Sequence, residues 1–236
     1  MMLSYKVLAA LLTYPEAGLC AAARTGELLA VLEEERAFAP RQVARLQPLL
    51  AELADEDELD LQERYVGLFD RSKTRSLYLF EHNLGESRDR GTAMLELNRM
   101  YAEAGLELAA NELPDYLPVF LEYLSLLDPA TARQRLAQPV HIIARLARRL
   151  AERGSAYAPV FALLEELSAE RPDAAALAEM LGEGDDDFED AEQLDEEWRE
   201  DPVTFGPAAA PGGEPPCQRM SRAVERLLSD DGHAAG

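Results

Sequence analysis

A histidine among carboxylates is the first place to look for chemistry in this chain: His82 follows Glu81 and stands four positions before Glu86. Such a set could pair a carboxylate with an imidazole for proton transfer, or hold a metal ion, because imidazole changes charge near neutral pH and ligates readily. The spacing elsewhere does not extend it. His141 and His233 lie far away, and no two histidines share a short ligand spacing. No G-x-G-x-x-G, Walker A loop, G-x-S-x-G or H-E-x-x-H occurs. With 45 Asp and Glu residues in the chain, adjacent acids identify no acid–base couple. A histidine simply hydrogen-bonded at a helix end is the more economical account. No catalytic residue and no metal ligand is assigned; an enzyme using Glu81, His82 and Glu86 stays as an alternative.

A second concentration runs from Tyr65 to Gly91, YVGLFDRSKTRSLYLFEHNLGESRDRG. It holds Tyr65, Phe69, Tyr78, Phe80 and His82 with both signs of charge. Arg71, Lys73, Arg75, Arg88 and Arg90 make a local basic island in an acidic chain. Aromatics and arginines together offer large contact area and oriented hydrogen bonds, as interfaces require. A helix–loop–helix whose aromatics are core and whose arginines offset the acidic excess has the same composition, and composition does not separate the two.

These residues must be positioned by helices. Ala and Leu supply 38 and 39 residues, against 17 for Val, Ile and Thr together, and the β-branched types that favour strands are the scarce ones. The periodicity predicts an all-α, single-domain bundle of roughly 8–11 helices. Ser4 is expected to cap a first helix that ends before Pro15, and further helices fit about 26–37, 40–54 and 58–69. Pro48 should kink the second of these. A helix over about 87–104 is capped by Ser87 and stopped by Gly105. One over 113–128 is regular from Pro118, and Pro129, Pro139, Pro159 and Pro172 open later ones.

Residues 1–181 form the expected domain and 182–236 a tail. Between Gly182 and Asp201 twelve residues are acidic and one is basic, and Pro202–Pro216 holds five prolines and three glycines. Such a segment buries too little apolar area to offset its ordering entropy, so it is expected to be mostly disordered, with a short helix at 218–229. The net charge of −22 repels phosphate backbones and anionic headgroups, which argues against nucleic acid and membrane surfaces. The apolar run Val7–Leu12 is too short for a signal peptide and Thr13–Glu16 interrupts it. With no span of 18 apolar residues and two distant cysteines, Cys20 and Cys217, a cytoplasmic protein is expected.

Four segments carry a resemblance. LYLFEHNLGESRDRG, with FDR just before it, and NELPDYLPVFLEYLSLL (Asn111–Leu127) closely resemble the two signatures of the assembly chaperones of respiratory nitrate reductase, the delta-subunit family of NarJ and NarW type. That family sits within the TorD- and DmsD-like redox-enzyme maturation chaperones. LSYKVLAALLTYP and WREDPVTFG (Trp198–Gly206) resemble it too, so the likeness spans roughly residues 3–206.

The resemblance implies an all-helical cytoplasmic chaperone without catalytic activity. Its partner would be the apo catalytic subunit of nitrate reductase, bound through its N-terminal segment, with molybdenum-cofactor biosynthesis proteins as further partners. It would bind no cofactor permanently, but would assist insertion of the molybdenum cofactor, in its bis-guanine-dinucleotide form, and of an iron–sulfur cluster into the client. A peptide-binding groove would then take Tyr65, Phe69 and Leu79 as apolar floor and Tyr116 and Phe120 as opposite wall. Asp70, His82, Glu86, Arg88, Asp89, Arg90 and Asp115 would be its polar anchors. A generic helical peptide-binding adaptor is the competing reading.

Overall fold

Apolar side chains recurring at three and four build helix upon helix in the computed structural model, which describes residues 2–82, 88–108 and 112–182, with Arg88 and Asp89 by backbone alone. The described residues contain eleven α-helices of nine residues or more, one single-turn helix and no β-strand. In order these are α1 (Leu3–Leu11), α2 (Ala17–Thr25), α3 (Glu27–Glu35), the single turn α4 (Pro40–Val43), α5 (Gln47–Asp55), α6 (Glu58–Phe69) and α7 (Arg88–Glu103). They continue as α8 (Leu117–Leu126), α9 (Pro129–Ala137), α10 (Val140–Glu152), α11 (Ala158–Leu167) and α12 (Ala174–Gly182). Two 3₁₀ turns, Lys73–Arg75 and Leu79–Glu81, follow α6. The all-α expectation holds. Ser87, the expected cap of α7, lies outside the described residues, as does the tail from 183 onward with its expected helix at 218–229.

Local chemistry explains where the helices start. Asp57 caps α6 by accepting from the Leu59 N–H at 2.9 Å, and Asp128 caps α9 by accepting from Ala130 and Thr131 at 3.1 Å each. Pro129 and Pro159 occupy first-turn positions where no N–H is missed. Pro48 acts as expected: the stretch from Pro40 to Asp55 is interrupted by a 3₁₀ turn at Ala44–Leu46, just before the proline in the first turn of α5.

One expectation is corrected. Ser4 does not cap α1; it lies inside the helix and is fully buried. The unpaired amides of the first turn instead find the Glu35 carboxylate at the end of α3, which accepts from Leu3 N–H at 2.8 Å and from both the amide and the hydroxyl of Ser4. No expectation covered α2, a helix with Cys20 as its one buried residue and so without a periodic stripe to announce it.

The core is built around α1. Its Tyr5, Leu8 and Leu11 are fully buried, as are Leu117, Leu121 and Leu124 of α8, the helix it packs on most extensively. α3 also packs on α1, α2 packs on α5, and α10 packs on both α11 and α12. The end of α6 meets this core through Tyr65 and Phe69. That contact sets up the site below.

Candidate functional site

The two distinctive sequence segments meet. Leu79 N–H donates to the Asp115 carbonyl at 2.9 Å, and Leu117 N–H donates to the Leu77 carbonyl at 2.9 Å. Together these make a short antiparallel bridge between Tyr78 and Tyr116. Residues 77–79 and 115–117 thus share one backbone register although some forty residues separate them. The Phe80 N–H adds a third link, to Oδ2 of Asp115 at 3.2 Å.

Beneath the bridge lies a hydroxyl relay. Leu12, just past α1, has a carbonyl that the helix leaves unpaired. The Tyr65 hydroxyl donates to it at 2.8 Å, and having given its one proton there it accepts from the Tyr116 hydroxyl at 2.9 Å. Burial raises both phenols, Tyr116 to about 12, so both stay protonated and able to donate across the physiological range. The Tyr65 ring stacks edge-on to Tyr14 and Tyr157 and tilts against Phe69, which in turn meets Tyr157 and Phe161. Toward the surface the Tyr78 ring lies 5.3 Å from that of Tyr116.

A cavity of about 350 Å³ opens beside this bridge, lined by Phe69, Asp70, Ser72, Lys73, Ser76, Tyr78 and Glu81. It offers an aromatic wall, one ammonium and two carboxylates. Partial desolvation raises the Asp70 carboxyl; the residue ends α6, where its backbone N–H donates to the Val66 carbonyl at 3.0 Å. Asp115 is fully buried, and burial raises its carboxyl too, against the opposing pull of the Phe80 N–H and the Arg90 charge.

A matching family description comes from residues 32–163, which fit the model of the nitrate reductase delta subunit family. The chain belongs to the nitrate reductase delta subunit family. It is 38% identical over 205 residues, 86% of this chain and 85% of the relative, to a protein of Escherichia coli K12 described as the nitrate reductase molybdenum cofactor assembly chaperone NarJ. It is 37% identical over 202 residues, 85% and 82% respectively, to the probable chaperone NarW of the same organism. A probable NarJ of Bacillus subtilis 168 is 36% identical over 104 residues, 44% of this chain and 56% of that one.

For this member of the delta subunit family, the expected site residues divide by depth. Tyr65, Phe69, Leu79, Asp115 and Phe120 are each 6% exposed or less, so they support the surface rather than form it. Asp70 is exposed, and His82, Arg90 and Tyr116 are half-buried. His82 donates its Nε2 proton to the Ser76 carbonyl at 2.9 Å, which fixes that ring on the 76–82 loop. Glu86 lies outside the described residues, and for Arg88 and Asp89 only the start of α7 is described. Among the described residues no three His, Cys, Asp or Glu side chains form a cluster suited to a metal ion.

The basic island is less of a surface than its composition implied. Arg75 is 2% exposed and its Nε–H donates to the Leu68 carbonyl at 3.0 Å, closing the loop back onto α6. Two residues outside the expected set also belong here. Half-buried Tyr78 forms the partner of Tyr116 in the bridge, and Tyr157 backs Phe69. Tyr78 sits in a loop where helical periodicity says nothing, and Tyr157 comes from a distant turn with no local mark.

Proposed function

We propose that this protein is a dedicated assembly chaperone for a respiratory nitrate reductase. In this reading it binds the apo catalytic subunit through that subunit's N-terminal segment and holds it open for the molybdenum cofactor and an iron–sulfur cluster. The cofactor, in bis-guanine-dinucleotide form, is cargo for the client and not a resident of the chaperone, and the chaperone has no turnover of its own. It would act in the cytoplasm, before the enzyme meets its membrane anchor, in concert with molybdenum-cofactor biosynthesis proteins. No helix among the described residues is long and apolar enough to cross a membrane, in keeping with such a role.

The observation that supports this reading best is the bridge between Tyr78 and Tyr116. It gathers the two segments that resemble the chaperone signatures onto one face, beside a cavity with apolar and charged walls. A peptide laid there would meet Tyr78, Tyr116 and Asp70 directly, with His82 and Arg90 at the margin. Tyr65, Phe69, Leu79, Asp115 and Phe120 would hold that face in shape. The relatives' descriptions as cofactor assembly chaperones favour the same partner.

Calorimetric titration of the whole chain with an N-terminal peptide of the cognate catalytic subunit, beside its scrambled control, tests this. Saturable heat with the native order alone is expected. Equal heats with both peptides would favour a generic helical adaptor.

A further inference from the structure

Among the described residues six large apolar side chains stand exposed: Leu3, Tyr14, Leu59, Leu95, Leu113 and Leu126. Exposed leucines scattered singly are ordinary. Tyr14 differs in two respects. It is the one aromatic of the six, and its ring lies against the buried aromatic cluster under the candidate site. Local chemistry holds it there. Thr13 closes α1 by donating from its N–H and its hydroxyl to the Ala10 carbonyl, at 3.2 and 2.8 Å. Pro15 follows, and a residue before proline is pushed toward extended backbone. Nε2 of Gln62 then donates to the Pro15 carbonyl at 3.0 Å, tying this turn onto α6.

The Tyr14 ring stands edge-on to that of Tyr65, with centroids 5.7 Å apart and planes at 90°, and yet stays 41% exposed. Its hydroxyl makes no hydrogen bond among the described residues, whereas those of Tyr65, Tyr101 and Tyr116 each have a partner. A tyrosine fixed in this way loses little freedom when a partner covers it, the property that makes rigid aromatics good anchors. Tyr65 also joins Tyr14 to the bridge. Its ring backs Tyr14, its hydroxyl meets that of Tyr116 at 2.9 Å, and the Tyr116 ring lies 5.3 Å from Tyr78. One buried side chain thus underlies both the bridge and the turn between α1 and α2.

We propose that Tyr14 is a second anchor for the client segment, beyond Tyr78 and Tyr116, its ring packing on an apolar side chain of that segment. A segment that filled the bridge cavity alone would leave Tyr14 uncovered, so this contact selects segments that reach from the bridge to the α1–α2 turn. Tyr14 has this role only if the chaperone reading holds, whereas that reading stands without Tyr14.

Calorimetric titration of the full chain with the N-terminal peptide of the cognate catalytic subunit tests it. Tyr14→Ala should weaken binding about tenfold, as truncation of an interface tyrosine does. Tyr14→Phe, which keeps the ring, should stay within about fivefold of the parent, the worth of one neutral hydrogen bond. A direct readout separates contact from support of Tyr65. With p-benzoylphenylalanine at position 14, ultraviolet light should join the chain to the bound peptide, as mass spectrometry would show. The same group at position 126, at the opposite end of α8, should not be joined. Parental affinity in Tyr14→Ala, equal losses in both variants, or a peptide left unjoined at position 14 would each overturn the role of Tyr14, as would equal joining at both positions. A parent chain that binds native and scrambled peptides alike would instead sink the chaperone reading, and Tyr14 with it.

Discussion

Tyr65 and Tyr116 touch through their hydroxyl oxygens at 2.9 Å, and only one of the two holds the end of α1 firmly. Tyr65 reaches the Leu12 carbonyl at 2.8 Å, whereas Tyr116 reaches it at 3.4 Å. The buried contact is therefore asymmetric, and the asymmetry can be measured.

Tyr65→Phe should lower stability by about 1–3 kcal/mol, the usual cost of leaving a buried carbonyl without its donor. Tyr116→Phe should cost less, because the Leu12 carbonyl keeps Tyr65. Urea unfolding of both variants checks the order. Equal losses would show that the two hydroxyls share the carbonyl.

Tyr78→Ala removes one ring of the bridge and leaves the backbone bonds of Leu79 and Leu117 in place. Client-peptide affinity should drop about tenfold or more, as when a tyrosine at the centre of an interface is truncated. Thermal stability should move far less. Calorimetry beside a melting curve separates the two effects.

Asp115 makes stability depend on pH in an unusual direction for a carboxylate. Its folded pKa is raised by burial, so the folded state holds the proton more tightly than the unfolded chain, whose Asp titrates near about 3.9. Stability should therefore fall as pH rises from about 4 through the raised value. Asp115→Asn, which cannot ionise, should gain on the parent protein over that interval. Asp70, raised in the same direction, is present in both proteins and cancels. Paired urea midpoints from about pH 4 to 7 read the difference; a constant gap would reject a raised Asp115.

Glu35→Ala should expose the first turn of α1. Bonds from amides to a charged carboxylate contribute about 1.5–3 kcal/mol each, and slowed hydrogen exchange at the Leu3 and Ser4 amides should be lost in the variant. Glu35→Gln, which keeps an acceptor, should retain part of that protection.

How much of this was readable beforehand depends on range. α6 and α9 announce themselves through local caps, Asp57 and Asp128, followed by a periodic apolar face, and they form where expected. Ser4 looked like a cap by the same local logic. The true partner, Glu35, is thirty-one residues away, and nothing in either segment marks the pairing. α2 stayed hidden because its helix-forming alanines carry no stripe. The site divides the same way: its two segments were recognisable as unusual stretches, but their pairing through Leu79 and Asp115 is a tertiary fact. Burial of Arg75 was equally invisible, because composition counts its charge and cannot see that it turns inward to Leu68.

The packing of α1 on α8 also bears on how the protein is made. α1 is made well before α8, yet the core face it presents is closed by Leu117, Leu121 and Leu124, and the Met2 amide finds its acceptor on Ser125 at 2.9 Å. Contacts of such long sequence separation form only after loop closure and slow folding. At about 5–20 residues per second, the nascent chain spends many seconds with the apolar face of α1 uncovered by α8. The protein thus passes through an unfinished stage in which α1 waits for its packing partner, one that ends when α8 emerges.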